Sequence, residues 1–300
     1  MGSCFSDNIG KKTETHKFQS ISNPFGVIYN PASVKTHLQE MHRDDFNFSP
    51  HLRRGKELWF DYRFHGSFSH INKEKAAQTM TSAVKQAKNH FQQCDALFIT
   101  WGTARIYRLK DNKQVVANCH KQAAGNFARE KLTTEGIVAD YTTLLNKIFD
   151  KLPDIQIVLT VSPVRHLKDG FVGNQRSKAV LLLAAEKLET RFEQVSYFPA
   201  YEILMDDLRD YRFYDRDLTH PSPEAVDYLW ECFSETYFDD STKKLNKELK
   251  KLHTACQHKM HFPESTAAKQ FAQTQLRLIE KLEKKHPYLN LEAEKKYFTD

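Results

Sequence analysis

The stretch Ile155-Gln156-Ile157-Val158-Leu159-Thr160-Val161, running into Ser162-Pro163-Val164-Arg165-His166, decides the fold class. Seven residues rich in β-branched side chains and closed by a Ser-Pro turn read as a buried strand. On either side, Ala96-Leu97-Phe98-Ile99-Thr100-Trp101 and Val195-Ser196-Tyr197-Phe198 have the same character, and Leu58-Trp59-Phe60 opens a shorter strand-like stretch. Helical patterns fill the intervals: Lys73 to Gln93, Thr134 to Leu152, Ser177 to Phe192 and Pro223 to Tyr237. Strands separated by helices predict an α/β domain, a mainly parallel sheet with helices on both faces. In such a sheet the site is expected at the carboxyl ends of the strands.

Composition narrows the class. The 300 residues are 40% hydrophobic and 12% aromatic, enough for a full core, so wholesale disorder is excluded. The longest purely apolar run, Ala179 to Ala185, is far short of the roughly 20 residues a membrane span requires. Residues 1–20 lack the pattern of a secretory signal, and five widely spaced cysteines form no disulfide framework. The cytoplasm is the expected location. Residues 241–300 carry 13 Lys and Arg against 7 Asp and Glu, which is the whole net charge of +6; residues 1–240 are neutral. The body therefore lacks the basic groove of a nucleic-acid binder. In the tail, Leu245, Leu249, Leu252 and Cys256, then Phe271, Leu276, Ile279 and Leu282, recur at helical spacing. The chain is read as a body, 1–240, and a basic amphipathic helical extension, 241–300, able to meet a protein partner.

The strand-end segments collect reactive side-chain types. They are Arg63-Phe64-His65-Gly66-Ser67-Phe68-Ser69-His70, Gly102-Thr103-Ala104-Arg105, Ser162-Pro163-Val164-Arg165-His166 and Asp217-Leu218-Thr219-His220-Pro221-Ser222. His65, His70, His120 and His166 are each read as structural, with substrate contacts among them as a group. Arg105 and Arg165 would hold an anionic group or sit in internal ion pairs. Cys119-His120 with Cys4 or His220 could suggest metal, but no paired ligand spacing such as Cys-x-x-Cys exists, and neither metal nor cofactor is expected.

The amino terminus, Gly2-Ser3-Cys4-Phe5-Ser6, resembles the motif that gives the GSCFA family its name, with Ser6 where Ala is usual. The segments Asn23-Pro24-Phe25-Gly26, Val116-Ala117-Asn118-Cys119-His120-Lys121, Ser162-Pro163-Val164-Arg165-His166, Tyr197-Phe198-Pro199-Ala200-Tyr201-Glu202 and Asp210-Tyr211-Arg212-Phe213-Tyr214 resemble the same family over roughly residues 1–240. The first six residues also fit the short, loose Met-Gly-x-x-x-Ser lipidation pattern, but the longer resemblance explains the same residues.

That family is similar to the SGNH, or GDSL-type, hydrolases, which implies a three-layer α/β/α, flavodoxin-like architecture and an esterase or acyltransferase. Asp217-x-x-His220 matches the late motif of those enzymes, so the resemblance implies His220 as general base and Asp217 as its orienting partner. Aligning Gly2 puts Cys4 in the nucleophile's place; a register slipped by one puts Ser3 there. Gly66 is the second-block glycine and Gly102 opens the third block, where Ala104 replaces the usual Asn donor. Arg105, the Thr103 hydroxyl or the Asn118 amide would substitute, with Arg165 and His166 as further substrate contacts. The resemblance also implies a central strand before Gly2, where this chain has only Met1; without that strand a sheet edge would be exposed and the turn unanchored, unless the sequence starts late or the fold compensates. The substrate would be a small-molecule or glycan acyl ester. The alternative is a catalytically inactive protein that binds a carbohydrate or acylated ligand on the same fold.

Overall fold

A computed structural model describes residues 1–43, 46–259 and 261–299. The chain divides into two compact units, Met1–Ile9 with Ile21–Leu229, and Gly10–Ser20 with Trp230–Asp300. In chain order the elements are α1 (Cys4–Thr15), α2 (Pro31–Glu40), β1 (Arg53–Arg54), β2 (Trp59–Phe60), α3 (Lys73–Phe91), β3 (Ala96–Trp101), β4 (Arg105–Leu109), β5 (Val115–Val116) and β6 (Phe127–Lys131). Then follow α4 (Thr134–Phe149), β7 (Gln156–Val161), α5 (Gly170–Arg191), β8 (Val195–Phe198), the short α6 (Ala200–Glu202), α7 (Pro223–Tyr237), α8 (Asp240–Gln257), α9 (Thr266–Lys285) and α10 (Glu292–Thr299).

In unit one, β3, β7 and β8 form a parallel sheet with β7 in the middle. The pairing runs from Ala96 opposite Gln156 to Trp101 opposite Val161. A middle strand buried on both faces has no polar alternation, and Ile157, Val158, Leu159 and Val161 are all buried. Helix α5 packs against β7 and β8, and α4 against α5. Side-chain caps start the helices: Asn30 bonds the Ser33 amide ahead of α2, Asn72 the Lys75 amide ahead of α3, and Thr133 the Gly136 amide ahead of α4. Deep in the core the Trp101 indole donates to the Tyr141 hydroxyl (3.1 Å), which donates to the Pro31 carbonyl (3.0 Å).

Two features depart from expectation. Leu58-Trp59-Phe60 does not join the parallel sheet: β2 pairs antiparallel with β1, and Trp59 exchanges backbone bonds with His70. The chain turns away at Asp61, whose carboxylate holds the Arg63 guanidinium (2.7 Å) in a buried group with Glu40. A second sheet, in the order β5-β4-β6 and wholly antiparallel, follows β3 and buries Leu109, Val116 and Phe127.

The expected gap beside β3 is filled by the first three residues. The Met1 nitrogen donates to the Phe98 carbonyl (2.7 Å), Thr100 N–H to the Met1 carbonyl (2.9 Å) and Ser3 N–H to the Thr100 carbonyl (3.2 Å). On its other side the Gly2 carbonyl accepts from Ile28 N–H (2.8 Å). Gly2 thus sits between two backbone segments, in parallel pairing with Thr100.

In unit two, α8, α9 and α10 enclose Leu249, Leu252, Ile279, Leu282, Leu291 and Phe298. Asp239 and Ser265 cap α8 and α9. Lys17 pairs with Glu294 (2.5 Å). No helix among the described residues is long and apolar enough to cross a membrane.

Candidate active site

At the carboxyl end of the sheet, Gly2, Ser3 and Cys4 make a strand-to-helix turn. Gly2 has φ +139°, and a Cβ there would stand 2.0 Å from the Thr100 carbonyl oxygen, so only glycine lets the turn lie this close to β3. Ser3 is 1% exposed. Its hydroxyl accepts from the Phe5 amide (3.3 Å), capping α1. Cys4 opens α1 and is partly exposed. Its sulfur lies 3.7 Å from the Tyr29 hydroxyl, its recorded hydrogen-bonding neighbour. Burial and the adjacent Cys4 raise the Tyr29 hydroxyl's pKa, so the phenol stays protonated.

The second half is the turn Asp217–His220. The His220 Nδ1 lies 2.5 Å from Asp217 Oδ2, while Asp217 Oδ1 accepts from the amides of Thr219 (2.8 Å) and His220 (2.9 Å). These bonds hold the Asp217 carboxyl well below the usual carboxylate range. With Nδ1 engaged, Nε2 is the imidazole face left for a reacting partner. Leu218, inside the turn, has φ +56°. A hairpin flanks it: Asp215 N–H donates to the His220 carbonyl (2.7 Å), and Ser222 N–H to the Phe213 carbonyl (2.8 Å).

The loop after β7 approaches both halves. Arg165 N–H donates to the Thr219 carbonyl (3.0 Å) and its guanidinium to the Leu218 carbonyl (3.3 Å). His166 packs edge-on to Tyr29, with ring centroids 5.5 Å apart. A Cβ on Gly102 would meet His166 Nε2 at 2.9 Å and Ser3 Cβ at 3.5 Å, so Gly102 is where the first turn, β3 and the His166 loop come together. His166 Nε2 is buried without a hydrogen-bond partner. Burial, with help from the nearby Lys178 and His220 charges, lowers the His166 pKa to about 4, so the ring is neutral at pH 7.

The candidate oxyanion donors divide. The Thr103 hydroxyl is committed to Ser177 (2.9 Å) and the Arg105 amide (3.1 Å). Arg105 is ion-paired with Asp169, which also holds Arg129. Gly66 and Asn118 are brought together: a Cβ on Gly66 would meet only the Asn118 Nδ2, at 3.9 Å. Asn118 Oδ1 accepts from the His120 amide (2.8 Å), which leaves its NH2 end as a donor. Among the other histidines, His65 accepts from the Ser67 amide, His70 from the Asn72 amide, and His120 stacks on Phe60 and bonds the Asp61 carbonyl. All three support loops.

Two residues escaped the sequence reading. Tyr29 follows a Gly-containing loop with no pattern of its own. Lys178 lies on α5, 1% exposed, with Nζ 2.6 Å from the Ser162 carbonyl and 2.8 Å from the Gly102 carbonyl. A lysine within a charged, amphipathic-looking helix gives no sign that its ammonium ties two strand ends together. Burial lowers its pKa to about 7. Elsewhere in unit one, grooves of about 580 Å³ (Phe68, His70, Lys75) and 450 Å³ (Arg53, Arg54, Tyr62, Lys110) bring no thiol to a histidine. No group of three or more His, Cys, Asp or Glu able to hold a metal ion occurs among the described residues.

No curated protein matches the chain, and no solved structure does. The model of the GSCFA family matches residues 1–233, and that of the GSCFA domain protein, C-terminal domain, matches residues 249–300. The turn at Gly2-Ser3-Cys4 and the sheet behind it fall within the first match, and α9 and α10 within the second. The chain belongs to the GSCFA family.

Proposed function

We propose that the protein is an SGNH-like esterase or acyltransferase, with the three-layer architecture of those enzymes, acting through an acyl-cysteine intermediate. The observation that carries this reading is the oriented pair of His220 and Asp217, 2.5 Å apart, with the carboxylate fixed by two backbone amides. An aspartate held in this way fixes one imidazole tautomer and stabilises the imidazolium that forms during proton transfer. The partly exposed Cys4 at the start of α1 supports the nucleophile's role, since a thiol is a strong nucleophile once a neighbouring base takes its proton. Ser3, buried and capping, is suited to holding the turn.

In this reading His220 Nε2 takes the Cys4 proton as the sulfur attacks the acyl carbonyl. The tetrahedral oxyanion is met by backbone amides and the Asn118 NH2. As the C–O bond breaks, the imidazolium returns the proton to the leaving alcohol, and a thioester on Cys4 remains. Water or an alcohol, deprotonated by His220, then displaces the thiol. The Tyr29 hydroxyl, 3.7 Å from the sulfur, would hold the Cys4 thiol between turnovers. Catalytic hydrogen bonds often tighten only with substrate bound, so a thiol resting against Tyr29 is compatible with transfer to His220.

The test is hydrolysis of para-nitrophenyl acetate. Cys4→Ala and His220→Ala are expected to lower kcat/KM by at least ~100-fold, and Ser3→Ala to retain turnover while losing ~1 kcal/mol of stability with its cap. A His220→Ala variant as active as a clearly active wild type would refute the assignment. A second reading, an inactive protein that binds a carbohydrate or acylated ligand, is favoured by Ala104 in the donor's place, with Thr103 and Arg105 committed elsewhere. A wild type without turnover that still retains an acylated glycan would support it.

A further inference from the structure

We propose that Arg165 is a positioning residue for His220, setting the conformation of the Asp217–His220 turn rather than touching substrate; this builds on that pair being the working one. Among the described residues, the bonds that orient Asp217 come from inside the turn, from Thr219 and His220 themselves. The two side chains are also 49% and 43% exposed, so packing does little to fix them. The residue between them is strained: Leu218 holds φ +56°, a left-handed conformation that costs a leucine about 1–2 kcal/mol. Such a conformation persists only where the surroundings over-determine it.

Arg165 supplies that restraint from a different element. Its amide and guanidinium take the carbonyls of Thr219 and Leu218, two of the three peptide units that separate Asp217 from His220. The guanidinium is in turn clamped against aromatic rings, 3.9 Å above the Tyr214 centroid and 5.4 Å from that of Tyr211. Tyr214 belongs to the hairpin on the turn's other side, bridged to Pro221. The strap therefore connects the loop after the central strand β7 to both flanks of the turn. Lysine has neither the planar face nor the forked donors for this. A specific competitor is present as well. The Thr219 hydroxyl lies 3.1 Å from the same His220 Nδ1 that Asp217 holds, so a slackened turn would let the ring exchange partners.

The test uses the full chain and two variants, Arg165→Gln and Arg165→Lys. Long-range 1H–15N spectra of the His220 ring report its tautomer without any substrate. The wild type is expected to show a single Nδ1–H tautomer at pH values where the ring is neutral, and Arg165→Gln a mixture, with Arg165→Lys between them. Towards para-nitrophenyl acetate, Arg165→Gln is expected to lose roughly 10- to 100-fold in kcat, with KM little changed and partial recovery on adding guanidinium. An Arg165→Gln ring with the tautomer as pure as the wild type's, in a folded protein, overturns the proposal. So does a rise in KM at constant kcat, which makes Arg165 a substrate contact. If the wild type turns over no ester, the functional reading fails while the tautomer still decides the role of Arg165.

Discussion

Ser3 and Cys4 are neighbours with similar chemistry, and sequence alone leaves either in the nucleophile's place. Burial separates them: Ser3 closes the helix cap under the turn, and Cys4 faces the Tyr29 hydroxyl. That distinction depends on the direction of each Cα–Cβ bond at a strand-to-helix turn, which no residue pattern encodes. The Asp217-x-x-His220 pair is implied by the resemblance to the late motif of the SGNH enzymes, and its contacts are local, within a single turn. Lys178 was not legible, because its partners are carbonyls 76 and 16 residues away. Its burial has a measurable consequence. The folded-state pKa of about 7 lies below the ordinary lysine value of ~10.4, so between these limits the unfolded chain carries the extra proton. Stability attributable to this group therefore rises with pH across that window, and the full penalty applies below about 7. Urea titrations at pH 7 and pH 9.5 are expected to show the wild type gaining on Lys178→Met between the two pH values, by up to ~1.4 kcal/mol per unit. Parallel behaviour of the two proteins would show that the lysine is not held as described.

At the scale of elements, legibility followed length and capping. Helices α3, α4 and α7 lie where periodicity predicts them, each a run of 15 residues or more, and strands β3, β7 and β8 match the quoted apolar stretches. Among the short pieces, Leu58-Trp59-Phe60 reads as strand-like and forms β2, but its antiparallel partner was not legible, and neither were β1 and β5: with two residues each, alternation cannot be seen, and their pairing is set by the hairpins that join them. The amino-terminal segment is held through its backbone: Met1 and Ser3 bond to β3 at Phe98 and Thr100, and the Gly2 carbonyl takes the Ile28 amide on the other side. Gly2 is what permits this. Gly2→Ala combines a disfavoured φ of +139° with a Cβ inside the Thr100 carbonyl, and is expected to cost several kcal/mol or prevent folding. The measurement is the urea midpoint of Gly2→Ala beside that of Ser3→Ala, which should cost only a cap. An unchanged midpoint for Gly2→Ala would mean that the turn does not pack against β3.

Across the whole molecule, charge and structure partition in a similar way. The acid-base balance of residues 1–240 accompanies a unit with a parallel sheet, and the excess of basic residues falls in a unit built from amphipathic helices. The helical character of the tail was readable from leucines three and four apart. Its compact core, with α10 contributing Phe298, was not, since eight residues carry little periodic signal. Unit one holds every residue of the proposed chemistry, and its central claim is a covalent one: the acyl group passes through the Cys4 sulfur, with His220 moving the proton. Peptide mass spectrometry after brief exposure to para-nitrophenyl acetate and an acid quench tests this directly. The expected result is an acetyl group on Cys4 in the wild type that forms far more slowly in His220→Ala. Ester turnover with Cys4 unmodified, or the acetyl group on Ser3, would contradict it.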